Sequence, residues 1–212
     1  IAEVLESLWQ NGDNKHSLRQ YIEWSSADGK ESRPKWLKSY RAVTELARAL
    51  SEQQAELDQA AMRSLWLERD NGVSSLRQGG LSKAEWNAEY GKLTEMTRLI
   101  MTAPTAESFQ QILGQWKTGV KTGDFSMNRP AMISRVFAAF SPEQFTSILK
   151  TDDCQFLLQG LKSQFQLNEN GPDDLGWCGL NQQIKASLHA ARVEETQVLE
   201  SNIALWQLLE TL

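Results

Sequence analysis

The chain has 212 residues, 41% of them hydrophobic and 23% charged, with a net charge of −5. That length and balance fit one large globular domain or two small ones. They exclude a protein that coats nucleic acid through its overall charge, while leaving room for a local basic face. No apolar run approaches the roughly 20 residues needed to span a bilayer, and Cys154 and Cys178 show no metal-site spacing. Two cysteines in a chain of this size fit a reducing compartment, so a cytoplasmic location is expected, away from any membrane.

In chain order, Ile1 to Gln10 has helical spacing and ends at the turn cluster Asn11-Gly12-Asp13-Asn14. A second helix is expected from His16 to about Ser26, followed by a polar loop from Ala27. A third starts near Pro34 and carries Trp36, Leu37, Tyr40, Val43, Leu46 and Leu50 on one face. Ser51-Glu52-Gln53-Gln54 has the capping-box pattern, which either starts a new helix or lies inside one long helix. The next helix carries Leu57, Ala61, Leu65 and Trp66, with its stop expected at Asn71-Gly72. A loop with Ser74, Ser75, Arg77 and Gln78 runs to Gly79-Gly80, and Val73 marks the one candidate for a short strand.

Ser82-Lys83-Ala84-Glu85 is a second capping box, opening a helix with Trp86, Leu93, Met96 and Ile100. Pro104 interrupts, and Thr105 caps a helix through Phe109, Ile112 and Trp116. Residues 118–130 read as a loop, and Pro130 opens a helix with Ile133, Val136 and Phe137. Ser141-Pro142-Glu143-Gln144 predicts another helix start, with Phe145, Ile148 and Leu149 on its apolar face. Thr151-Asp152-Asp153 predicts the next, through Phe165. Asn168 to Gly179 reads as loop, and helical pattern returns from Leu180 to Leu212, with a break near His189–Glu194. The fold is expected to be all-α, an irregular bundle of about nine to eleven helices without a substantial sheet. The expected organisation is an N-terminal helical subdomain over 1–117, a connecting loop at 118–130 and a C-terminal helical subdomain over 131–212, or else one continuous domain. The chain starts at Ile1 and stops within an apolar-periodic run, so it is expected to be a piece of a longer protein.

The search for chemistry is mostly negative. There is no Gly-x-x-x-x-Gly-Lys-Ser/Thr loop, and Gly79-Gly80 lacks the strand that should precede a phosphate loop. His16 and His189 form no ligand pair, so no metal or cofactor is expected. The acidic pairs Asp152-Asp153, Asp173-Asp174 and Glu194-Glu195 fall near helix starts, where carboxylates favour the dipole. No catalytic residues are expected. The eight tryptophans read as packing anchors, or, beside exposed cations, as stacking surfaces for bases. Basic residues cluster at Lys35, Lys38 and Arg41, which share a drifting helix face, and at Lys117, Lys121, Arg129 and Arg135. Arg77 stands alone in the central loop. Such residues serve either as a solvated surface or as a phosphate-contacting strip.

The segment from Leu65 through Gly80 and on to Trp86 resembles one found upstream of the motor in large McrB-like AAA+ proteins of modification-dependent restriction and defence systems. The stretch from Asn128 to Leu149 is similar to the helix pair that follows there. This resemblance implies a non-catalytic N-terminal domain that helps recognise DNA or another invader signal, or couples recognition to the motor. It implies an NTP-hydrolysing motor beyond Leu212, ring assembly through that motor and a separate nuclease subunit as partner. The nucleic-acid-binding residues expected on this reading are Lys35, Lys38, Arg41, Arg77, Lys117, Lys121, Arg129 and Arg135. The alternative is an interaction or oligomerisation scaffold that binds no nucleic acid, with an exposed apolar patch around Trp177 or the final helix.

Overall fold

The computed structural model describes residues 32–52, 55–76, 79–165, 176–190, 198–210 and 212. The helices expected before residue 32 lie outside the described residues. What is described is all-α, with eight α-helices and a short π turn. These are α1 (Ser32–Glu52), α2 (Gln59–Met62), α3 (Lys83–Thr102), α4 (Ala106–Thr122), α5 (Pro130–Phe140), α6 (Thr151–Phe165), α7 (Gly176–Ala190) and α8 (Val198–Leu209). The π turn, Arg63–Leu67, continues α2. Among the described residues the single strand-like feature is an isolated antiparallel bridge between Asp70 and Ser75, beside the Val73 that the pattern marked.

Local chemistry explains several of the helix ends. Ser82 caps α3 in a reciprocal box with Glu85, which satisfies two of the orphan N–H groups of the first turn. Thr105 caps α4 through Ser108, and that helix ends at Gly123 in the left-handed region (φ 88°). Helix α4 therefore runs into the expected loop at 118–130 as far as Thr122. Asp58, rather than Ser51, caps α2.

The chain divides into two compact units, Lys38–Ser141 and a second made of Ile1–Leu37 with Pro142–Leu212. The division thus falls within α1 and at Ser141/Pro142, not at the loop expected around 118–130.

In the Lys38–Ser141 unit, Met132 through Ala139 of α5 are all buried. Trp66 stacks near Trp116 (centroids 6.1 Å) and Trp116 on Phe125 (4.2 Å), while Phe109 meets Phe137 edge-on. The indole N–H groups find partners: Trp66 Nε1 donates to Thr97 Oγ1 at 2.8 Å and Trp116 Nε1 to the Met127 carbonyl at 2.9 Å. These tryptophans are packing anchors.

In the other unit, α6 packs on α7 and α8. Residues 141–150 carry no helix, contrary to the start expected at Ser141-Pro142. Pro142 leads only a short turn, and the backbone beyond it is held by side chains from elsewhere in the sequence. The Thr146 N–H donates to Asn181 Oδ1 at 2.7 Å, and Trp177 Nε1 donates to the Ile148 carbonyl at 2.8 Å. Asn202 Nδ2 donates to the Pro142 and Phe145 carbonyls at 3.1 and 3.3 Å. Once these donors and acceptors are supplied, the local helical ladder has no advantage over an irregular, largely buried path.

Candidate functional site

The conspicuous stretch from Leu65 onward is built around a helix that ends early. The π turn closes at Leu67 with Glu68 as its cap, four residues before the stop expected at Asn71-Gly72. The last carbonyls of such an end lack intrahelical donors. Arg135, on α5, supplies them. Its Nη1 donates to the Glu68 carbonyl at 2.7 Å and its Nη2 to those of Leu65 and Trp66 at 3.2 and 3.1 Å. A cation at the negative end of a helix dipole is favourable, and the Glu68 and Asp70 carboxylates add to the field. Burial still dominates and lowers the Arg135 pKa to about 10.

Beyond that anchor the chain turns through two side-chain caps. The Gly72 N–H donates to Asp70 Oδ1 at 3.0 Å and the Val73 N–H to Asn71 Oδ1 at 3.1 Å. Gly72 has φ 90° and lies so close to α1 that a Cβ there would strike the backbone of Ser39 and Tyr40. The turn is thus seated on α1 between Lys38 and Arg41. It is a structural joint of α1, the π turn and α5.

The eight residues expected to contact nucleic acid separate in the structure. Lys35, Lys38 and Arg41 are exposed on α1, and Lys117 and Lys121 are exposed on α4. Arg77 lies outside the described residues. Arg129 and Arg135 are buried, at 7% and 0% exposure, and their placement corrects the expectation that they belong to a solvent-facing strip. Arg135 holds the carbonyls described above. Arg129 pairs with Glu85 at 2.7 Å and donates to Ser126 Oγ at 2.9 Å. With the Ser126 hydroxyl, the Ser82 backbone N–H and Arg129 all donating to it, the Glu85 carboxyl is held down to about 2. Glu89, buried on the same helix, accepts from the Ser126 N–H at 2.9 Å, and its other carboxylate oxygen has no protein partner.

A sign of these roles was present for Arg135, since a lone Arg amid Met132-Ile133-Ser134 and Val136-Phe137-Ala138 can stay charged only if it finds acceptors. Asn181, Lys185 and Asn202, which organise residues 142–149, carried no comparable signal.

Trp177 is buried rather than exposed. It stacks on Phe145 (4.9 Å), and Ile203, Ala204, Leu205 and Leu208 of α8 are buried too. The apolar patch expected there is therefore covered within the unit. The large hydrophobics that are exposed among the described residues are Leu99, Met127 and Phe156. Cys154 and Cys178 are buried free thiols. Burial drives the Cys154 pKa far above the usual thiol range and that of Cys178 to about 12, so both stay protonated and pack as small apolar groups. Among the described residues no group of His, Cys, Asp and Glu is arranged to hold a metal ion, and no helix is long and apolar enough to cross a membrane.

No protein-family model, curated protein or solved structure matches the chain.

Proposed function

We propose that this chain is a non-catalytic helical domain of a McrB-like AAA+ protein, working in the cytoplasm, and that α1 contacts the phosphate backbone of DNA. The observation that carries the reading is the charge pattern of α1. Lys35, Lys38 and Arg41 are exposed in its first three turns, and no acidic residue follows in the helix until Glu45. A helix N-terminus already carries about half a positive charge, so Lys35, in the first turn, works against the helix's own stability. An anionic partner relieves that repulsion. Lys121 lies instead in the last turn of α4, where the dipole favours a cation, so it has a structural reason to be there, and the Lys117 and Lys121 pair ranks second as contacts. The motor, the ring and a nuclease partner belong to the same proposal through the resemblance of Leu65–Trp86.

The test is fluorescence anisotropy of the chain with a short duplex across a salt series. Three phosphate contacts give a slope of log affinity against log salt of about −2.7. The triple variant Lys35→Glu, Lys38→Glu, Arg41→Glu should abolish binding, and Lys117→Glu with Lys121→Glu should weaken it less. Absence of binding at low salt, or an unaffected triple variant, rejects the assignment. A scaffold without nucleic-acid binding is the second reading, favoured by Phe156, which is 49% exposed on α6. Concentration-dependent association that Phe156→Ser removes would favour it.

A further inference from the structure

The tryptophans among the described residues sort into two sets. Trp66, Trp86, Trp116 and Trp177 are buried, and the indole N–H groups of Trp66, Trp116 and Trp177 are spent on acceptors within the fold. Trp36 and Trp206 are half-buried and keep part of their ring surface open. These two meet each other edge-on, with centroids 5.8 Å apart and planes at 80°. An edge-on pair covers at most one face of one ring, so this contact by itself leaves aromatic face available. Both rings belong to the unit made of Ile1–Leu37 and Pro142–Leu212.

Their position beside a cation gives the pair a use. Trp36 directly follows the exposed Lys35 on α1, and at 3.6 residues per turn it lies about 100° round the helix from it. Lys38 and Arg41 step away on the far side of Lys35, so Lys35 is the cation of the strip nearest the ring. The acid on the other side is Glu210, one turn beyond Trp206, whose N–H donates to the Trp206 carbonyl. A polyanion is therefore favoured along α1 and disfavoured along the end of α8. A strip of cations alone takes duplex and single strand alike. An open indole at its edge adds a contact that only an unpaired base can use, because bases in a duplex are stacked on one another and present only their edges in the grooves.

We propose that the α1 site takes single-stranded nucleic acid, with an unpaired base stacked on Trp36, the flanking phosphate on Lys35 and the strand continuing over Lys38. Trp206 props the Trp36 ring from its edge. The proposal rests on the phosphate-strip reading of α1 and adds to it a preference for unpaired bases. Every base has a π-face, so the preference is for strandedness rather than sequence.

The experiment is fluorescence anisotropy of the full chain with three labelled ligands of equal length: a thymidylate strand, the same backbone without bases, and a duplex. The unaltered protein should bind the thymidylate strand about tenfold more tightly than the abasic backbone, the worth of one stacked base. Trp36→Ala should remove that difference, leave duplex binding unchanged and keep the salt slope of the strand at about −2.1 for three phosphates, since stacking releases no counterions. Trp36→Phe should restore most of the difference. Equal affinity of the unaltered protein for strand and abasic backbone overturns the proposal, and this comparison needs no variant to fold. So does an equal loss of strand and duplex binding in Trp36→Ala. The two readings fail differently: duplex and abasic backbone still bound through Lys35, Lys38 and Arg41, with no gain from bases, sinks the stacking site alone, whereas no binding of any of the three ligands at low salt sinks the strip and the stacking site together.

Discussion

Arg135 is the side chain on which the Lys38–Ser141 unit depends most directly. It is fully buried, and it serves carbonyls that lie more than sixty positions earlier in the chain. Replacing it by Met keeps bulk and removes every donor. Each carbonyl left bare in the interior carries a desolvation penalty, and charge-assisted bonds are worth about 1.5–3 kcal/mol each. Arg135→Met should therefore lower stability by about 3 kcal/mol or more, read as a reduced urea midpoint at an unchanged m-value. Arg135→Lys should recover only part of it, because a single ammonium cannot reproduce the planar fork. A loss below about 1 kcal/mol would show that the carbonyls find other donors. The same burial explains why Arg135 could not be assigned from sequence spacing. A lone Arg on an apolar helix demands acceptors, but which acceptors depends on where the π turn of α2 ends.

At the scale of elements, what was legible was what is local. The Ser82–Glu85 box, the Thr105 cap, Pro130 at the head of α5 and Thr151 at the head of α6 all form where the pattern places them, because a cap needs only its own turn. What was not legible depends on partners far away in sequence. Residues 141–150 carry a good helix-start signal and are not helical, since Asn181, Asn202, Trp177 and Lys185 satisfy their backbone instead. The α2 stop moved for a similar reason, because Gly72 was needed for a close approach to α1 rather than for a helix end. This makes Gly72 and Gly80 a contrasting pair. Gly72→Ala meets both a positive φ and an unyielding backbone, and should cost about 2–4 kcal/mol. A Cβ at Gly80 meets nothing within 4 Å, so Gly80→Ala should be neutral or stabilise by up to about 1 kcal/mol. Thermal melts of the two variants check this, and equal effects would contradict the seat of the turn on α1.

For the whole molecule, the all-α character was readable from periodicity alone, while the division into units was not. The loop reading pointed to 118–130, whereas the compact units meet the chain at Leu37/Lys38 and Ser141/Pro142. The exposed strip expected from eight cations is reduced to Lys35, Lys38, Arg41, Lys117 and Lys121 among the described residues, because only a fold reveals which charges the interior has claimed. The long-range bonds of Arg129, Arg135, Trp66 and Trp116 all close within Lys38–Ser141. A chain of that span is of ordinary independent-domain size, about 100 residues. Expressed alone, it should give a helical circular dichroism spectrum and one cooperative melt, and Pro142–Leu212 alone should not. A non-cooperative melt of the excised Lys38–Ser141 segment would show that it borrows stability from its flanks.

The meeting of Trp36 with Trp206, edge-on at 5.8 Å, has a consequence for biosynthesis. One of these rings emerges from the ribosome before the Lys38–Ser141 unit and the other after it. Everything the Lys38–Ser141 unit needs is already outside by then, so that unit can mature as a nascent chain while its host is incomplete. The host unit closes only after α8 has emerged, with the loop-closure cost of a long intervening segment reduced by the fact that the segment is already compact. Translation thus sets the order of assembly: the inserted unit comes first, and the unit that brackets it follows.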